Sequence, residues 1–287
     1  MTQTPTRFLS AAFILVAALA LAVGGPRSVA PGTASAHYAF GHGPTLVMVH
    51  GLGSRNAQWL PTARLLARHW RVVLVDLPGH GETDMPEPFS LDRAENALDR
   101  AIAEEGGGPV VLVGHSLGGL VAAAEAIDHP ERVRRLVLIE TALRPQVDAA
   151  GRNALLEALE GNYDQVLRSA YTEFGRDSAQ GLALYQEVRG LDPAHIKPWI
   201  RLALSANLSE RAAHLRMPVL AVLAERSWAK GESWPTTAEA LGYSRIPHLT
   251  KERIEGCGHF VMLDRPEALA GLIERFGAEK NGALATR

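Results

Sequence analysis

From Thr45 onward the chain alternates short apolar runs with longer stretches of helical periodicity. The runs lie at residues 46–50, 72–76, 110–114, 136–140 and 219–223, with a shorter one ending near Glu255. Each is rich in Val, Leu and Ile and apolar at successive positions, as a strand covered on both faces must be. Helical patterns fall between them at residues 57–68, 91–105 and 117–128, and again at 266–276. Strand, helix, strand in this rhythm predicts βαβ units and a mostly parallel sheet flanked by helices. Residues 143–217 break the rhythm. They contain no strand-like run, only successive helical patterns punctuated by Gly161, Gly175, Gly190 and Pro193. This segment is expected to be a helical cap inserted over the carboxyl edge of the sheet, where open α/β sheets bind their ligands. The expected organisation is a core of residues 37–142 and 217–287, interrupted by a cap at 143–216.

The first 36 residues are of another kind. One positive charge, Arg7, precedes an uninterrupted apolar run from Ala11 to Val23, and a Gly/Pro-rich spacer leads to Ala34-Ser35-Ala36. That layout predicts a secretory signal peptide and an exported protein, periplasmic or secreted. The run is short for a membrane span, which needs about 20 residues. The spacer is long for a cleavage region, so an uncleaved anchor through residues 8–24 is the alternative. Composition narrows the classes further. A formal net charge of -2 across 287 residues gives no electrostatic reason to expect nucleic acid. A single cysteine, Cys257, excludes an intrachain disulfide, and the eleven histidines include no H-x-x-x-H or H-E-x-x-H pair. Neither a metal nor another cofactor is expected.

Gly114-His115-Ser116-Leu117-Gly118 stands between an apolar strand and a helical pattern. A G-x-S-x-G pentapeptide in that setting forces the serine into a strained turn and lifts its hydroxyl above the sheet edge. The following helix aims its first N–H groups at the place where an oxyanion would form. Ser116 is therefore the candidate nucleophile. A serine hydroxyl needs a base, and the base needs a carboxylate to orient it. His259, in the glycine-flanked turn Glu255-Gly256-Cys257-Gly258-His259, follows the last strand and can reach the same edge. His50-Gly51-Leu52-Gly53 ends the first of the apolar runs, and its Leu52 N–H with that of Leu117 would make a two-donor oxyanion hole.

Four motifs, His50-Gly51-Leu52-Gly53, Asp76-Leu77-Pro78-Gly79-His80-Gly81, Gly114-His115-Ser116-Leu117-Gly118-Gly119 and Gly256-Cys257-Gly258-His259, resemble the α/β-hydrolase superfamily in order and spacing. The resemblance covers the chain from about Tyr38 to Phe276. It implies the α/β-hydrolase fold, with Ser116 as nucleophile, His259 as base, and the Leu52 and Leu117 amides as oxyanion donors. It further implies a cofactor-free hydrolase acting on a small-molecule carboxylic ester. Lactone, thioester and carbon–carbon bond hydrolysis on the same site, or a catalytically weak ligand-binding role, are the alternatives.

The chain departs from the pattern at the acid. Most such proteins carry an aspartate shortly after the strand that follows the cap, where this sequence has Ser227. Two carboxylates could substitute. Glu140 closes an apolar strand and would emerge at the active-site edge, as the acid does in haloalkane dehalogenases. Glu225 lies close to the usual place. Glu140 is the preferred acid and Glu225 its rival. An aspartate nucleophile followed by tryptophan, the dehalogenase hallmark, is absent, so dehalogenation is not expected.

Overall fold

The computed structural model describes residues 37–278. The expected leader, with its alternative anchor at residues 8–24, lies outside the described residues. Among the described residues, no helix is long and apolar enough to cross a membrane.

The described residues open with β1 (His37–Phe40) and β2 (Thr45–Val49), then a 3-10 turn at Asn56–Trp59, α1 (Leu60–Leu66) and β3 (Arg71–Val75). Next come α2 (Leu91–Glu104), β4 (Val110–His115), α3 (Leu117–Asp128) and β5 (Val133–Ile139). Four helices follow without a strand: α4 (Ala149–Gly161), α5 (Tyr163–Phe174), α6 (Ser178–Val188) and α7 (Pro193–Ala203). The chain then re-enters the sheet as β6 (Val219–Ala224), α8 (Trp234–Leu241), β7 (Leu249–Ile254), the single turn α9 (Val261–Asp264) and α10 (Pro266–Ala278).

Among the described residues seven strands are ordered β1-β3-β2-β4-β5-β6-β7, with only β1 antiparallel to its neighbour. Alternation along each strand divides the core in two. Val47, Val49, Val73, Val75, Leu112 and Leu138 face α2, α3 and α8, whereas Leu46, Met48, Val72, Leu74, Val113 and Ile139 face α1 and α10. A parallel strand buried on both faces has no polar side to show, which is why its sequence is a continuous apolar run.

Chain order and spatial order diverge at β2. Its successor β3 lies on one side of it and β4 on the other, so a crevice opens at the carboxyl ends of β2 and β4. The 50–53 turn and Ser116 leave the sheet at that crevice. Helices α5 and α7 reach the same edge. Tyr171 Oη of α5 donates to the Leu52 carbonyl at 2.6 Å, and Trp199 Nε1 of α7 donates to the Pro78 carbonyl at 2.9 Å. Trp199 is fully buried, a contribution of about 4–6 kcal/mol of gross transfer free energy.

Candidate active site

Two non-glycine residues among those described have positive φ, and both are at this edge: Ser116 at 52° and Glu140 at 48°. Such backbones cost about 1–3 kcal/mol each and persist only where their surroundings hold them. Ser116 caps α3 with φ 52° and ψ -121°. Its N–H is donated to Ile139 O at 2.8 Å, and its carbonyl accepts from Gly119 N at 2.9 Å and Thr141 Oγ1 at 3.2 Å. The flanking glycines are obligatory. A Cβ on Gly114 would lie 2.5 Å from Gly119 Cα, and one on Gly118 would lie 2.1 Å from His50 O.

Leu117 opens α3, so its N–H is among the first helix donors, which have no intrahelical acceptor. Leu52 is held from three sides. Tyr171 binds its carbonyl, the next amide (Gly53 N–H) donates to His80 Nε2 at 2.9 Å, and His50 Nδ1 donates to Gly51 O at 2.7 Å. His50 Nε2 in turn accepts the Leu77 amide at 3.1 Å. Both histidines are therefore struts. Burial first, and then the nearby His50, push His80 down to about 3, so it stays neutral with Nδ1–H on Pro78 O at 3.0 Å.

Glu140 and His259 meet. Glu140 Oε2 lies 3.1 Å from His259 Nδ1, with the carboxylate fully buried and the imidazole 9% exposed. The same carboxylate accepts Ala224 N at 2.7 Å on Oε1, and Ser227 Oγ at 2.9 Å on Oε2. Burial would raise this carboxyl. The hydrogen bond and charge of His259, with the Ala224 and Ser227 donors, outweigh burial and hold it below the ordinary value. Donation from Nδ1–H leaves His259 Nε2 with its lone pair, the tautomer a general base requires. Glu225, the rival acid, is exposed on the β6–α8 loop.

Several neighbours were not foreseen from the sequence. Phe174, at the end of α5, stacks on the His259 ring at 4.6 Å and 28°, and its carbonyl accepts the His259 N–H at 2.8 Å. The Arg226 guanidinium lies over the Phe174 ring at 5.3 Å, and its Nη1 lies 3.4 Å from both Glu140 Oε2 and His259 Nδ1. His115 donates Nε2–H to the His259 carbonyl at 2.9 Å; burial, then His259, keeps it well below its ordinary value and so neutral. Ser227, standing where an aspartate was expected, donates its hydroxyl to Glu140.

The comparisons with known proteins agree with this fold. A model of the alpha/beta hydrolase family matches residues 46–272. A pimeloyl-[acyl-carrier protein] methyl ester esterase of Yersinia enterocolitica is 29% identical over 251 residues, 82% of this chain and 94% of its own. A protein of the same description from Xanthomonas campestris is 30% identical over 263 residues, covering 83% and 96%. Among solved structures, an enol-lactonase from Burkholderia xenovorans superposes with a TM-score of 0.73 at 19% identity, over 85% of this chain and 96% of that one. A thermophilic esterase from Thermogutta terrifontis gives 0.70 at 23% identity, over 84% and 91%. With the family model spanning both parts of the sheet and every motif of the crevice, the chain belongs to the alpha/beta hydrolase family.

Proposed function

We propose that the protein is a serine esterase that hydrolyses carboxylic esters through an acyl-enzyme, with Ser116 as nucleophile, His259 as base and Glu140 as acid. The observation that carries the reading is the buried Glu140–His259 contact at 3.1 Å, one strand away from a serine with φ 52°. In the first half-reaction Ser116 Oγ bonds to the ester carbonyl carbon as its proton passes to His259 Nε2. The carbonyl oxygen becomes an oxyanion held by the Leu52 and Leu117 amides, and each such donor contributes about 2.7–4 kcal/mol. Collapse breaks the carbon–oxygen bond to the alcohol, which leaves with the proton from His259. Water then repeats the sequence on the acyl-enzyme, restoring Ser116 and releasing the acid. Glu140 remains ionised throughout and stabilises the imidazolium.

The methyl ester esterases among the sequence relatives favour esters of a small alcohol and an acyl chain. Helices α4 to α7, residues 143–216, act as the cap over the acyl site, consistent with the Tyr171 and Trp199 contacts to the loops of the sheet edge. Export, through the leader at residues 1–36, is part of the same proposal. Hydrolysis of 4-nitrophenyl butyrate by the wild-type chain and by Ser116→Ala tests the reading. Full activity in Ser116→Ala would end it.

A further inference from the structure

Asp264, the last residue of α9, has a side chain with no exposure to solvent and accepts hydrogen bonds from two separate parts of the chain. Its Oδ2 takes the Gly258 amide at 2.8 Å, immediately before His259. Its Oδ1 takes Arg176 Nη1 at 2.9 Å and Gln180 Nε2 at 2.6 Å, from the α5–α6 connection and the first turn of α6. Gln180 returns its Oε1 to the Arg176 amide at 2.6 Å, so the three side chains form one closed unit.

That unit joins two backbones in direct contact. A Cβ on Gly258 would lie 2.5 Å from Arg176 N and 2.6 Å from Gly175 C, which accounts for a glycine just before the histidine. One residue on, the His259 amide donates to Phe174 O at 2.8 Å while the Phe174 ring stacks on the imidazole. The amides of residues 258 and 259 are thus both satisfied through groups anchored in the α5–α6 turn or in Asp264. An imidazole has few ways to keep its Nδ1–H on Glu140 once its own backbone shifts.

We propose that Asp264 is a positioning residue: together with Arg176 and Gln180 it clasps the α5–α6 turn to the His259 loop, so that the base is correctly aimed only while this turn is docked. The inference rests on the esterase reading for its kinetic consequence, though the clasp itself is structural. Opening the helical segment on this side would withdraw His259 from Glu140. Substrate exchange therefore occurs without parting this contact, and α5–α6 behaves as a fixed wall rather than as a lid.

Asp264→Asn and Arg176→Met test it, with Arg176→Lys as the conservative partner. An asparagine has a single carbonyl oxygen, so its amide nitrogen must confront donors on one side of the clasp. Arg176 is 48% exposed, so its replacement does not threaten folding even where Asp264→Asn does. Two quantities are read: steady-state hydrolysis of 4-nitrophenyl butyrate, and the downfield proton NMR signal of His259 Nδ1–H, assigned by its loss in His259→Gln. The clasp predicts kcat lowered about tenfold in Arg176→Met, with KM changed by less than about twofold. It also predicts a displaced Nδ1–H signal, partial recovery in Arg176→Lys, and a double variant no worse than Asp264→Asn alone. An unmoved Nδ1–H signal in folded Arg176→Met, additive losses, or a change confined to KM would overturn it. The NMR arm needs no turnover. A protein inactive towards esters whose signal still moves would thus refute the esterase reading while sustaining the clasp.

Discussion

Replacing Glu140 with glutamine keeps the volume of a fully buried side chain and removes one charge. The amide oxygen can still accept the Ala224 N–H that reaches Oε1 at 2.7 Å. Its nitrogen then occupies the place of Oε2, facing His259 Nδ1 at 3.1 Å and Arg226 Nη1 at 3.4 Å. Two donors cannot share that contact, so His259 turns over to the tautomer with Nε2–H, which can no longer take a proton from Ser116. In the serine protease triad the corresponding carboxylate-to-amide change costs about 10⁴ in kcat, close to 5.4 kcal/mol at 1.36 kcal/mol per decade. The same size is expected here, because the carboxylate is equally buried and the Nδ1 contact equally direct. Steady-state hydrolysis at pH 8, with folding checked by circular dichroism, measures it beside Glu225→Gln, whose exposed side chain predicts no change. A Glu140→Gln enzyme keeping more than about a tenth of wild-type kcat would refute the reasoning. So would collapse in Glu225→Gln.

Three further outcomes follow from the same geometry. Ser227→Asp puts a second carboxylate where a hydroxyl now donates to Glu140 at 2.9 Å. Like charges there lower the urea midpoint at pH 8, whereas in the Glu140→Gln background the same change restores kcat at least about tenfold. Gly119→Ala drives a methyl to within 1.9 Å of Thr141 Oγ1, which is held by Ser116 O and Ile139 O and cannot swing away. A loss of about 3 kcal/mol is expected in urea unfolding. Glu125, fully buried with neither oxygen partnered, has its carboxyl pushed up to about 8, first by burial and then by Asp99, with Arg132 opposing. A carboxyl raised in the fold keeps stability intact below its ordinary 4.5 and loses it as pH climbs towards 8. Glu125→Gln therefore stabilises by roughly 2–4 kcal/mol at pH 8 and by little at pH 5, and an equal shift at both values contradicts this account.

The central strands were legible because burial on both faces leaves nothing polar in them. Boundaries moved by a few residues at most: β5 begins at Val133, three residues before the predicted run, because the buried Arg135 sits over the Phe276 ring at 5.0 Å and interrupts the apolar pattern. The edge strand β1 went unread, being four partly exposed residues directly after the stretch expected to be a leader. Helix α8 was missed as well, its Trp-Pro-Thr-Thr opening lacking helical periodicity although Ser233 caps it. In the helical segment Gly161, Gly175 and Pro193 do fall at helix ends, where sequence punctuation has local causes. The choice between Glu140 and Glu225 turns on backbone geometry after β5 and β6, which no local pattern encodes. Asp264 and Arg176 are 88 residues apart, and nothing in either neighbourhood announces the other.

The most direct test of the mechanism is the covalent intermediate itself. Stopped-flow reaction of the chain with excess 4-nitrophenyl butyrate, followed by acid quench and peptide mass analysis, reports both the burst and the acylated residue. The account predicts nitrophenol release approaching about one equivalent per chain and a butyryl group on Ser116, both abolished in Ser116→Ala. An undiminished burst in Ser116→Ala, or a butyryl group on another residue, would contradict it.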